Sequence, residues 1–187
     1  MTLLEMKKKV LALIEELNPD NEFLTDDPDI AGKINEVINQ IMFELARIKK
    51  IPKYVEIDVK KGDIYDLEKF GEECGYDVFQ VDVVYGVPFV VKASGTVYKF
   101  TEDGTAEVDL FVYPERITEK TKDKAYEFEL SQDVLEVMPY GIAADLLKSD
   151  VSAEYGAVYA SRYEAMKQLI DPRYHTALFT VEGGYNI

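Results

Sequence analysis

The sequence predicts an α+β protein. Terminal α-helices form a small helical bundle, an antiparallel β-subdomain is inserted between them, and a C-terminal arm follows. Three observations support this. Residues 1–52 and 131–172 place apolar side chains at helical intervals, which assigns both stretches to the bundle. Residues 53–130 switch to alternation rich in β-branched and aromatic types, as an inserted β-subdomain requires. Residues 173–187 lie beyond the last helix stop and form the arm. The chain has 187 residues, which suits one medium domain or a core with one insertion, and 47% of them are hydrophobic, enough for a core.

The first helix starts at Thr2, with Glu5 at capping-box distance. Leu3, Met6, Val10, Leu13 or Ile14, and Leu17 follow at helical spacing, and Asn18-Pro19-Asp20 stops the pattern. Asp27-Pro28 starts the second helix, a cap with proline at the first helical position. Its apolar stripe is Ile30, Ile34, Val37, Ile38, Ile41, Met42, Leu45 and Ile48. Lys33, Asn35, Glu36, Asn39 and Gln40 take the opposite face, and Pro52 closes the helix.

Residues 54–60 alternate, with Val55, Ile57 and Val59 on one side, as a half-buried strand does. The polar stretch 62–75 is a loop or a short helix around residues 66–70. Residues 78–84, 89–92 and 96–100 read as strands. A tight turn over Glu102-Asp103-Gly104-Thr105 returns the chain as a partner strand over 106–113, which Pro114 ends. Residues 117–123 are a loop and 126–130 are extended. Ser131 is positioned to cap the next helix, which Pro139 and Gly141 should kink or split near Met138. Asp150 or Ser152 caps the last helix, which runs to about Ile170 before Asp171-Pro172 stops it.

Candidate chemistry is sparse. The formal net charge of −15 repels phosphate, so a surface that grips DNA or RNA is not expected. Cys74 is the single cysteine, which rules out an internal disulfide, and its glutamate neighbours weaken it as a nucleophile. His175 is the only histidine and has no second histidine or cysteine near it in sequence. The acidic residues between Asp20 and Asp29 lack the central glycine and terminal glutamate of a calcium loop, and helix capping accounts for Asp26, Asp27 and Asp29. Glu182-Gly183-Gly184-Tyr185 lacks the lysine and following helix of a phosphate loop. Carboxylate pairs such as Glu72/Glu73 or Asp82/Asp109 arise easily among 36 acidic residues. No catalytic residue, metal ligand set or cofactor site is therefore expected, and the chain reads as a non-enzyme. No apolar run reaches the ~18 residues of a membrane span. The N-terminal stretch has its charges after its first apolar residues, unlike a secretory signal.

Association is the better-supported expectation. Tyr155, Tyr159 and Tyr163 recur at i, i+4 and i+8 and so share one side of the last helix. Tyrosine buries area while keeping a polar tip, which suits an interior or a subunit interface. In the arm, Ala177, Phe179 and Val181 alternate as an added strand would.

Several runs carry a family resemblance. They are Tyr126-Glu-Phe-Glu-Leu-Ser-Gln-Asp133, Met138-Pro-Tyr-Gly-Ile-Ala-Ala-Asp-Leu-Leu-Lys-Ser-Asp150, the spaced set Tyr155, Gly156, Tyr159, Ala160, Arg162 and Tyr163, and Leu169-Ile-Asp-Pro-Arg-Tyr174. Near the start, Asp29-Ile-Ala31 with Lys33-Ile-Asn35, and Ile41-Met42 with Glu44-Leu-Ala46, fit as well. Together they resemble structural proteins of tailed bacteriophages, and more specifically head–tail connector (neck adaptor) proteins. The resemblance implies a ring homo-oligomer of twelve copies between the portal protein and the neck or tail protein. Such a ring extends the channel through which DNA passes. It also implies a virion location after synthesis in the host bacterial cytoplasm, with no cofactor and no membrane partner. Tyr155, Tyr159, Tyr163, Ala177, Phe179 and Val181 are then the expected contacts with neighbouring subunits or the portal. Two other readings stand beside this one: another tail or baseplate structural protein, and a small ligand- or glycan-binding module using the tyrosine-rich β region.

Overall fold

The computed structural model describes residues 1–92, 95–148 and 153–172. Over these residues the protein is mixed α/β, with five helices and two small antiparallel sheets. In chain order the elements are α1 (Leu3–Leu13), α2 (Pro28–Ile48), β1 (Ile51–Val59), β2 (Ile64–Tyr65), α3 (Leu67–Cys74), β3 (Val78–Tyr85), β4 (Phe89–Lys92), β5 (Val97–Phe100), β6 (Gly104–Val112), α4 (Gln132–Leu146) and α5 (Ala153–Lys167).

Local signals fix the helix starts. At α1 the Glu5 N–H donates to Thr2 Oγ1 (3.2 Å) and the Thr2 N–H donates to the Glu5 carboxylate (2.8 Å), which completes the capping box. The helix ends at Leu13, short of Leu17, and Glu15 turns the chain away at a φ of 63°. Asp27 caps α2 by accepting the Asp29 and Ile30 N–H groups, with Pro28 in the first turn. Asp66 caps α3 by accepting the Lys69 N–H, and Gly75, left-handed at φ 72°, ends it. The polar 62–75 stretch therefore holds a helix. Ser131 occupies the cap position of α4 without a capping hydrogen bond. Asp150 and Ser152, the expected caps of α5, lie outside the described residues.

The larger sheet has the order β1-β6-β3 and the smaller β2-β5-β4. The expected hairpin between the strand at 96–100 and that at 106–113 does not form. β6 pairs with β1 and β3, whereas β5 pairs with β2 and β4. The cause is length and burial. β6 hides Ala106, Val108, Leu110 and Val112 and needs partners as long as itself, and nine-residue β1 meets that need where four-residue β5 does not. Pro52 lies inside β1, opposite Phe111, and does not merely end the preceding helix. An edge strand tolerates it because the missing N–H faces the open side. Two register shifts in β3 space its inward residues Val78, Val81 and Val84 three apart.

α4 packs against α1, α2 and α5, with Val134, Leu135, Val137, Met138, Ile142, Ala143 and Leu146 all buried. It is one continuous helix with Pro139 inside it, where a break was expected. Contact with three neighbouring helices outweighs the one backbone hydrogen bond that proline removes. The smaller sheet packs its inner aromatic residues on α3, with Phe70 5.0 Å from Tyr65 and 5.7 Å from Tyr98 between ring centroids.

Asn39 departs from the amphipathic reading of α2. It is 2% exposed, not on the solvent face. Its amide clamps one peptide unit from both sides. Asn39 Nδ2 donates to the Ile117 carbonyl (2.8 Å), and the Ile117 N–H donates to Asn39 Oδ1 (2.9 Å). Replacing Asn39 with leucine leaves two buried backbone groups unpartnered. It should cost about 2–4 kcal/mol in urea denaturation, while Gln40→Leu on the exposed side should change stability by less than about 0.5 kcal/mol.

Candidate interaction surface

α5 carries three of the predicted contact residues, and their burial is graded. Tyr155 is 69% exposed, Tyr159 is half-buried and Tyr163 is 5% exposed. At 3.6 residues per turn each i+4 step advances about 40° around the axis, so the ladder crosses from solvent to core within two steps. Tyr159 is anchored at its tip, where its hydroxyl donates to the Leu13 carbonyl at 2.6 Å. Tyr163 packs on α4. A methyl group placed on Gly141 would lie 2.8 Å from its ring and 3.1 Å from Ile41 Cδ1. Burial first, and the Glu44 carboxylate next, push the Tyr163 hydroxyl well above the ordinary tyrosine range. Lys167 lies 4.8 Å over the same ring and binds both Glu44 and Glu164.

The outward side of α5 is open. Gly156 and Tyr163 are its buried residues, while Val158 is 64% exposed and Leu169, just past the helix, is 84% exposed. Beside it, small residues of α4 and α5 (Ala144, Ala153, Gly156, Ala157 and Ala160) line an open groove of about 330 Å³. Ala177, Phe179 and Val181 lie outside the described residues, as does His175.

Two further surfaces escaped the sequence reading. By register, the outward rows of the larger sheet are Tyr54 beside Asp109 beside Val83, then Glu56 beside Glu107 beside Tyr85. Burial first, then Asp82 and Glu107, hold the Asp109 carboxyl above the usual carboxylate range. Lost hydration and then Glu56 push the Tyr54 hydroxyl up to about 12. The outward rows of the smaller sheet are Ile64 beside Lys99 beside Val90, and Val97 beside Lys92. Alternation identified each strand but not its neighbours. The only available signal was the recurrence of acids at alternate positions in 56–58 and 107–109.

The remaining candidates are occupied locally. Asp26 accepts the side-chain amides of Asn18 and Asn21, which close the loop before α2, so it is not a helix cap. Asp29 pairs with Lys33 at 2.5 Å. Cys74 is half-buried, with Sγ 3.8 Å from the Gly71 carbonyl oxygen. Among the described residues, no group of three or more His, Cys, Asp and Glu side chains is arranged to hold a metal ion. No described helix is long and apolar enough to cross a membrane. The chain matches no protein-family model, and no curated protein matches it.

Two outcomes test the α4–α5 contact. Gly141→Ala should destabilise by about 1–2 kcal/mol in thermal or urea melts, because overpacking against Tyr163 exceeds the better helix propensity of alanine. The raised Tyr163 also makes stability pH-dependent. An unfolded tyrosine ionises near pH ~10 and the folded one higher, so the stability is intact below ~10 and lost as pH rises above it. The melting temperature should fall above about pH 10, and Tyr163→Phe should make that fall shallower.

Proposed function

We propose that the protein is a non-enzymatic structural component of a tailed-phage virion, a head–tail connector. It forms a ring of copies, twelve in this reading, between the portal and the tail and extends the DNA channel. In this reading α1, α2, α4 and α5 are the helical bundle, residues 53–130 its inserted β-subdomain, and residues 173–187, which lie outside the described residues, a C-terminal arm that contacts the portal.

The observation that carries the proposal is the outward side of α5. Tyr155 and Val158 stand more than half exposed there, joined by Leu169 just beyond the helix. Exposed apolar stripes of this kind mark places where another protein sits. A ring needs each subunit to present one face to a different face of the next, and a chain with several open faces can supply both. The net charge of −15 fits a channel wall, because few phosphates would be neutralised and passing DNA would slide. The virion resemblance of the sequence runs points the same way.

Electron microscopy of the full chain mixed with its portal is the test. Ring density stacked on the portal is expected. A chain truncated after Pro172 should bind the portal at least about tenfold more weakly, ~1.4 kcal/mol. Portal particles that remain bare at saturating protein would sink the proposal, as would a solitary monomer that turns over a substrate.

A further inference from the structure

We propose that copies of this chain join head to tail through their two sheets, the outer face of the smaller sheet on one copy docking on the outer face of the larger sheet on the next. The inference deepens the ring reading and rests on the chain meeting copies of itself.

The larger sheet breaks a local rule. Glu56 and Glu107 lie directly opposite each other across β1 and β6, and like charges in that position destabilise a sheet. Asp109 sits one row away and Asp82 is close enough to disturb it. Around these carboxylates stand Tyr54, 56% exposed, Tyr85, 51% exposed, and Val83, 36% exposed. The Tyr54 hydroxyl donates to Glu56 (3.1 Å), but among the described residues no lysine or arginine forms an ion pair with Glu56, Glu107 or Asp109. A like-charged pair with exposed aromatic side chains beside it breaks a local rule, and such breaks tend to mark functional sites.

The smaller sheet carries the complement. Its outer face combines Ile64, 47% exposed, and Val90, 53% exposed, with Lys92 and Lys99. Among the described residues neither lysine is in an ion pair. In a chain of net charge −15, two lysines beside two exposed aliphatic side chains form a locally positive, apolar patch. Docking sets Lys92 and Lys99 against Glu56, Glu107 and Asp109, and sets Ile64 and Val90 against the Tyr54–Val83–Tyr85 surface. The two patches differ, so the contact is heterologous. It closes into a ring when the rotation between neighbours allows and otherwise propagates as a filament. Charge also sets the direction, because either face meeting its own kind places like charges together.

Analytical ultracentrifugation of the full chain across a concentration series tests this. Association is expected, weakened in about 0.5 M salt. Lys92→Glu/Lys99→Glu and Glu56→Lys/Glu107→Lys should each be at least about tenfold weaker. Both should keep the wild-type circular dichroism and melting behaviour. An equimolar mixture of the two variants should recover association, because each reversed face then meets an opposite charge. That rescue distinguishes a direct contact from damage to the fold. A wild-type chain that stays monomeric throughout overturns the inference, as do variants that associate like wild type or a mixture that recovers nothing. Binding of polylysine without self-association also overturns it, in favour of a foreign basic partner. If the charge-reversed variants still form portal-docked rings, this contact falls while the connector reading stands. If the wild type neither associates nor docks on the portal, both fall.

Discussion

Helix α4 has almost no side that tolerates water. Val134, Leu135, Val137, Met138, Ile142, Ala143 and Leu146 are all buried, and α1, α2 and α5 supply the cover. A helix apolar all round is stable only when enclosed. Each large aliphatic side chain in it is worth roughly 1.5–3 kcal/mol once buried. The ion pairs that span the same region, Lys7–Asp123, Lys49–Asp133 and Lys167–Glu44, each join a mostly buried lysine to a partly exposed carboxylate, and such pairs typically contribute about 1 kcal/mol. They orient the segments, whereas the burial holds them. Gly141 and Gly156 serve the same enclosure by letting Tyr163 and the backbone of α4 approach closely.

The helices meet the larger sheet along a seam of rings and cations. Phe43 on α2 lies 5.3 Å from Tyr113, which lies 4.7 Å from Phe79, and Phe79 stacks on Phe111 at 6.5 Å. Arg47 covers Tyr113, Lys50 covers Phe111 and Arg116 covers Phe43. Ring pairs contribute about 0.5–1.5 kcal/mol beyond their area, and exposed cation–π contacts about 0.5–1. Three basic side chains are thus committed to capping aromatic surface.

Where one residue decides the geometry, the sequence was enough to read it. The Thr2–Glu5 box and the Asp27-Pro28 start depend on neighbours within a few positions, whereas α5 ends at Lys167, short of the expected Ile170. Strand existence was also readable, because β-branched and aromatic runs have their own period. What needed the third dimension was partnership. The turn before β6 looks like a hairpin, yet its strand is claimed by β1 and β3, which match its length. Asn39 sits among polar neighbours in sequence but faces a loop 78 residues away. The tyrosine ladder was visible as a pattern, but its drift from exposed Tyr155 to buried Tyr163 follows from where α4 passes beneath it. The two charged sheet faces depend on register across strands and could not be assembled from one strand at a time.

The anchoring of α1 has a consequence for how the protein is made. Its first turn is held from far along the chain: Leu3 N–H donates to the Tyr126 carbonyl, Leu4 N–H to the Asp123 carbonyl, and Phe128 N–H to the Met1 carbonyl. An eleven-residue helix is marginal in water without such support. At translation rates of roughly 5–20 residues per second, α1 leaves the ribosome on the order of 6–30 s before α4, its docking partner, is complete. Throughout that interval Leu3, Met6, Val10 and Leu11 lack the cover that α4 gives them in the finished fold. The opening helix thus carries an apolar stripe that waits on chain made more than a hundred residues later.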